Sequence, residues 1–270
     1  MTQQQESTEP VLASIRNYRD LGGLPTADGR RVRPGLLHRS GHLARATADD
    51  RAFLDGLGLH TVFDFRNSAD QALEGQDVAL AGVRNLNIPL NDPAEGAAFW
   101  TLVRDGSLAR LRAELTERRA AGRMRGSYRT MILHRTAEHG RVLRELAEGS
   151  LPALLHCSAG KDRAGLTVAV ILLALGAEEE VIAEDYLLSS APHRRYVIRR
   201  GERAEGAGSP LPGDILELLD PLFDARAEYL QAALDQIAET WGTTERYLTE
   251  GLGFGPADRE RLRTALLTEA

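Results

Sequence analysis

The chain has 270 residues, 43% of them apolar, with a net charge of -6 at neutral pH and one cysteine. This is the composition of a globular chain long enough to bury a sizeable core. The acidic balance argues against broad nucleic-acid binding, the lone cysteine excludes an intramolecular disulfide, and no stretch reaches the apolar length of a membrane span.

Taken in order, residues 1-10 read as a disordered lead, without the basic start or apolar stretch of a signal peptide. The expected location is the cytoplasm, with export without a visible signal left open. Residues 11-270 read as a single domain. The run from Val11 to Asp20 suggests a strand, and the turn signal Ala27-Asp28-Gly29-Arg30 predicts a small antiparallel ribbon over Arg19 to Leu37. Thr47 is a good N-cap for a helix reaching the Gly56 to Gly58 stop. A buried strand over His60 to Phe65, a short helix over Ala69 to Leu73 and a strand over Val83 to Leu90 follow. Strand, helix, strand in this rhythm predicts parallel βαβ units, and such sheets bind ligands at the carboxyl ends of their strands. The polar clusters Asp64-Phe65-Arg66-Asn67 and Asn91-Asp92 fall at those ends.

The segment Ala94 to Gly149 is expected to be helical, with breaks near Gly122 and Gly126. Gly149 and Pro152 then introduce a short apolar strand, Ala153 to Leu155. The run Leu166 to Leu175 is apolar on nearly every helical face and belongs in the core. Glu178-Glu179-Glu180 opens a further helix with charges that suit its N-terminus, ending at Ser189-Ser190. Residues 191-224 mix arginines with the run Gly206-Ala207-Gly208-Ser209-Pro210, which suits a mobile element or an exposed basic helix and linker. Helices over Asp224 to Trp241, Thr243 to Glu250 and Pro256 to Leu267 complete the chain. No repeat is present, and the seven histidines lack the spacing of a metal-ligand cluster.

Between the strand at Leu155 and the helix at Leu166 lies His156-Cys157-Ser158-Ala159-Gly160-Lys161-Asp162-Arg163-Ala164-Gly165. Six residues must turn sharply there, which Gly160 permits, and the N–H groups of Ser158 to Arg163 can then form an anion nest at a helix N-terminus. Cys157 at the bottom of that nest is favoured as thiolate, since such settings lower a thiol pKa to roughly 3.5–7.5. Arg163 offers a planar fork for two phosphoryl oxygens. Of the 33 basic residues one is a lysine, Lys161, and it lies four positions from the lone cysteine. A buried structural cysteine in a strand-to-helix turn is the competing reading of the same residue.

His-Cys-x-x-Gly-Lys-Asp-Arg-x-Gly resembles the signature of the cysteine-dependent protein tyrosine phosphatase superfamily, in its atypical bacterial branch. The resemblance extends to Asn17-Tyr18-Arg19-Asp20-Leu21-Gly22-Gly23, Leu37-His38-Arg39-Ser40, Val62-Phe63-Asp64-Phe65-Arg66 and Arg226-Ala227-Glu228-Tyr229-Leu230. It departs at Ala164, where such loops carry Ser or Thr. It implies an α/β fold with a central, mostly parallel sheet flanked by helices, a helical lid at 191-224, C-terminal helices, and removal of phosphate from phosphotyrosine, phosphoserine or phosphothreonine, and phosphoinositides. It also implies that Asn17, Arg19 and Asp20 anchor their ribbon beside the catalytic loop; a turn held by local hydrogen bonds explains them equally.

The mechanism this predicts needs no metal or cofactor. Cys157 attacks phosphorus, a carboxylic acid protonates the leaving oxygen, and water hydrolyses the phosphocysteine. His156 would orient Cys157, and Ser158, Ala159, Gly160 and Lys161 would bind substrate, with Lys161 adding charge at the loop rim and the Ser158 hydroxyl facing outward. The acid is Asp162 in the loop or Asp92 after a strand end. The partners are a phosphorylated protein or a phosphoinositide, with no nucleic acid and no integral membrane segment. Two other readings of the same loop are sulfur transfer and a phosphate-binding pseudophosphatase in which Ala164 marks lost turnover.

Overall fold

Five short segments build the sheet: Arg19–Asp20 (β1), Leu37–Ser40 (β2), Thr61–Asp64 (β3), Arg84–Asn87 (β4) and Ala153–His156 (β5). The computed structural model describes residues 12-94, 97-114, 116-196 and 211-269; the expected lead at 1-10 and the glycine-rich run at 206-210 lie outside them. The strand order is β1-β2-β5-β3-β4, with β1 antiparallel to β2 and all other neighbours parallel. Strands β2, β3 and β5 are buried at every position and β4 is the edge. The α/β, mostly parallel architecture expected from the sequence is therefore the observed one. The strand expected from Val11 is shorter: within the described residues pairing begins at Arg19, because Asn17 takes a positive φ of 57° and turns the chain into the ribbon.

Side chains alternate across the sheet. Phe63 and Leu155 point into the main core, shared with the helices Glu117–His134 (α5), Thr136–Ala147 (α6) and Arg163–Leu175 (α7). Val62 and Leu154 point the other way, onto Leu43, Leu59 and Leu54 of Ala48–Gly56 (α1). Thr47 caps α1 through a reciprocal capping box with Asp50. Helix α7 is buried at every residue from Ala164 to Leu175, so it has no solvated face at all. Truncating one of its leucines to alanine would cost about 2–5 kcal/mol.

The long helical segment is broken at places other than those expected. Gly122 and Gly126 lie inside α5, and the described breaks fall at Gly106-Ser107, at Thr116 and at Arg135. An internal glycine costs about 1 kcal/mol, but Ala120, Ala121, Met124, Tyr128 and Met131 of the same helix are buried. That burial outweighs two glycines. The last helices, Ala227–Trp241, a short Thr244–Arg246 turn continuing into a π-turn at Tyr247–Gly251, and Pro256–Leu266, follow the expected order. Tyr229, Ala232, Ala233 and Ile237 are buried as their spacing implied.

His139 on α6 is fully buried, and neither ring nitrogen meets a partner among the described residues. Burial lowers its pKa to about 4 from an ordinary 6.5. The folded state thus keeps the ring neutral while the unfolded chain takes up a proton. Stability from this residue is complete above pH 6.5 and is lost as pH falls toward 4, by up to about 3 kcal/mol. Urea unfolding at a series of pH values should show that loss in the native chain and a shallower one in His139→Leu. An identical pH dependence in the two would refute the assignment.

Candidate active site

The parallel register places Ser40, His156, Asp64 and Asn87 side by side at the carboxyl ends of β2, β5, β3 and β4. The loop after β5 therefore opens between the loops after β2 and β3. Cys157 follows the last residue of β5 and is 2% exposed.

The loop is held from behind by its carbonyls. Arg39 Nη2 donates to the carbonyl oxygen of Gly160 at 2.6 Å and to that of Lys161 at 3.3 Å, Asn17 Nδ2 donates to that of Ala159 at 3.3 Å, and His42 N donates to that of Ser158 at 3.2 Å. With the carbonyls engaged on the scaffold, the N–H groups face the opposite side. Among the described residues no acceptor takes the N–H of Ser158, Ala159, Gly160, Lys161 or Asp162. Arg39 is fully buried and pairs with Asp185 at 2.6 Å, and Arg19 pairs with the other oxygen of the same carboxylate at 2.7 Å. Two glycines make room for this arrangement. Gly160 has φ +69°, and a Cβ on it would fall 2.4 Å from the Ser40 carbonyl group; a Cβ on Gly165 would fall 2.7 Å from Arg39 Nη2. Asn17 and Arg19 thus support the loop, whereas Asp20 accepts the N–H groups of Gly22 and Gly35 and shapes its own turn.

Arg163 opens α7 and turns its guanidinium into a cavity of about 830 Å³ that Cys157, Ser158, Ala159, Asp162 and Lys161 also line. Nη2 donates to Ser158 Oγ at 2.9 Å and Nη1 to Asn91 Oδ1 at 3.1 Å. Nη1 also pairs with the Asp70 carboxylate. Burial alone would lower the pKa of Arg163, but Asp70 more than reverses this and keeps the group charged. The Ser158 hydroxyl therefore faces Arg163 and does not point outward. Asp70 was not evident from the sequence. It is the N3 residue of Ser68–Glu74 (α2), in a capping box with Asn67, and the cluster Asp64 to Asn67 at a strand end was the available signal.

Lys161 does not sit at the rim. It is 3% exposed, and Nζ donates to the carbonyl oxygens of Leu222 and Asp224 at 2.7 and 2.9 Å, at the end of Gly213–Phe223 (α9). Burial lowers its pKa, against the attraction of Asp162 at 3.3 Å. Asp162 Oδ1 accepts from Tyr128 Oη at 2.8 Å, and Tyr128 Oη lies 2.7 Å from Tyr186 Oη. Tyr128 has one proton to give, so Tyr186 donates to Tyr128 and Tyr128 to Asp162. Asp92 is exposed, accepts the N–H of Ala94 at 2.8 Å and does not line the cavity, although Asn91 and Pro93 on either side of it do. It is a turn former in this conformation.

His156 is fully buried. Its Nδ1 lies 3.4 Å from the Cys157 carbonyl oxygen and its Nε2 lies 2.9 Å from Asp77 Oδ2. Burial disfavours the charged ring, but Asp77 outweighs it and the net pKa is raised. Asp64, Asp77 and His156 bring potential ligand atoms within 4.8 Å of one another, a grouping the histidine spacing did not suggest. Arg66 already occupies it, with contacts of 3.0 Å to Asp64 and 2.9 Å to Asp77. A second cation would have to displace a buried guanidinium.

Comparison with known proteins agrees with this geometry. The tyrosine phosphatase family matches residues 10–268. A candidate tyrosine-protein phosphatase of Cupriavidus necator is 34% identical over 88% of this chain and 82% of its own. The triple specificity protein phosphatase PtpB of Mycobacterium tuberculosis is 34% identical over 93% of this chain and 96% of its own. A crystal structure of Pseudomonas aeruginosa TpbA overlaps 58% of this chain and 71% of its own at 22% identity and a TM-score of 0.29, too small an overlap to bear on the site. The family match spans nearly the whole chain and includes the loop whose carbonyls are anchored around Cys157. The chain is a member of the tyrosine phosphatase family and an enzyme of the protein-tyrosine-phosphatase type.

Proposed function

We propose that the enzyme hydrolyses phosphotyrosine through a phosphocysteine intermediate, and acts also on phosphoserine or phosphothreonine and on phosphoinositides. The observation that carries this reading is the engagement of four successive loop carbonyls by Asn17, Arg39 and His42, which leaves the amides and Arg163 to receive a phosphate over Cys157. The thiolate form of Cys157 attacks phosphorus in line and the bond to the leaving oxygen breaks as that oxygen takes a proton. Water then gives a proton to the carboxylate that supplied one in the first step and attacks phosphorus, the P–S bond breaks to return the thiolate, and inorganic phosphate leaves. Arg163 exchanges its contacts with Asp70 and Ser158 for phosphoryl oxygens and holds them as the group flattens. Within the described 191-196 and 211-224, Tyr196, Leu222 and Phe223 line the same cavity, which fits a lid over the substrate.

Asp162 is the proton donor in this scheme, because it lines the cavity on a rigid loop while Asp92 faces solvent. Asp162→Asn should flatten the basic limb of the pH–rate profile and cost on the order of 10²–10⁴-fold with poor leaving groups, far less with p-nitrophenyl phosphate. Asp92→Asn should do neither. The reverse pattern would move the role to Asp92.

Ala164 favours a second reading, slow turnover. It is fully buried and has no hydroxyl to donate to the sulfur as it leaves. A charge-assisted hydrogen bond contributes roughly 1.5–3 kcal/mol, so breakdown of the phosphocysteine should be about 10- to 100-fold slower than with a hydroxyl present. Stopped-flow measurement should show a burst of p-nitrophenol, with a smaller burst and faster steady state in Ala164→Ser and no activity in Cys157→Ser. No burst in the native enzyme would sink the slow second step, and activity retained in Cys157→Ser would sink the mechanism.

A further inference from the structure

A second cavity, of about 420 Å³, adjoins the catalytic one and shares a wall with it formed by Glu74, Trp100, Arg104 and Tyr196 together with Leu73. Three guanidiniums line it, those of Arg16, Arg45 and Arg104. Arg104 Nε lies 2.9 Å from Asp105, outside the cavity lining. Arg16 donates from Nη1 to the His193 carbonyl oxygen at 3.2 Å, and neither Arg16 nor Arg45 has a carboxylate partner among the described residues. Burial lowers the pKa of His42, the remaining titratable base in the wall. Glu74 is the one carboxylate lining the cavity among the described residues. One of its oxygens lies 3.4 Å from Arg66 Nη1, a guanidinium shared with Asp64 and Asp77, and the other accepts from the Tyr196 hydroxyl at 2.9 Å, so one carboxylate stands against three guanidiniums in the lining. The concavity therefore has a net positive lining with uncommitted guanidinium donors, one partition away from Cys157.

We propose that this cavity binds a second phosphate group carried by the same substrate whose first phosphate enters the Cys157 loop. A guanidinium fork matches a phosphate dianion, and a low-dielectric concavity strengthens the attraction. The shared wall requires the two phosphates to be close together on one scaffold, such as an inositol ring or a peptide with two phosphorylated side chains. This rests on the phosphatase reading above and adds the number of phosphates the substrate bears.

Two matched pairs of substrates test it: short-chain phosphatidylinositol monophosphate against bisphosphate, and a phosphotyrosine peptide with one phosphate against one with two. In the native enzyme the second phosphate should lower KM by about tenfold in at least one pair, and the pair that responds names the scaffold. Arg16 and Arg45 are exposed, so Arg16→Ala/Arg45→Ala should fold normally, lose that preference and hydrolyse p-nitrophenyl phosphate as before. Calorimetric binding of the same four ligands to Cys157→Ser, with and without the two arginine substitutions, should give the same ratio as a difference in Kd. No advantage from the second phosphate in either pair, or an advantage that survives loss of both arginines, overturns the subsite. Failure of the native enzyme to hydrolyse p-nitrophenyl phosphate would overturn the phosphatase reading instead, while the Cys157→Ser binding ratio would still decide the subsite.

Discussion

One buried carboxylate supports the catalytic loop. Asp185 on Glu179–Leu187 (α8) receives Arg19 from β1 and Arg39 from β2, and Arg39 turns Nη2 to the carbonyls of Gly160 and Lys161. Two guanidiniums against one carboxylate leave a net positive charge behind the loop. Arg19 shows the strain of this: burial first, then Arg39, lowers its pKa to about 10. The same excess charge favours an anion on the cavity side of the loop. Removing one member of such a buried set leaves the others uncompensated, typically at a cost of about 3–5 kcal/mol.

The second consequence is geometric. A loop whose carbonyls are fixed to β2 and to the residues flanking β1 and β2 has its amides fixed too, and donors held in this way need no reorganisation to meet an anion in the proposed reaction. Gly165 belongs to this logic as much as Gly160 does. Its missing Cβ is where Arg39 passes, so the glycine two residues after Arg163 serves the back of the loop and not its cavity face.

Charge around the loop is partitioned by depth. Lys161, adjacent to Asp162, spends its donors on the end of α9, and the hydroxyl chain from Tyr186 through Tyr128 fixes Asp162. Arg163 stays at the cavity, restrained by Asp70 in the first turn of α2, just after β3, and by Asn91 beyond the end of β4. The catalytic loop is thereby tied to α9 on one side and α2 on the other. Both contribute cavity walls, so movement of either would be felt at Arg163 or Lys161.

The sequence by itself determined the strand, glycine turn and apolar helix around Cys157, the position of Arg163 six residues later, and the parallel sheet with its ligand site at the strand ends. These are local or periodic signals: a strand-to-helix turn needs its glycine within a few residues, and an all-apolar helix can only be buried. Helix breaks at Gly122 and Gly126 were misread because the burial of Tyr128 and its neighbours, a tertiary quantity, outweighs local propensity. What only the tertiary structure decided was where the charges go. Leu37 to Ser40 carries two basic residues and reads poorly as an interior strand, yet it is fully buried, because Asp185, distant in sequence, supplies the compensating charge. Lys161, Ser158, Asp70 and Asp92 were resolved in the same way. A side chain's direction depends on partners brought together by the fold, and sequence spacing carries no record of them.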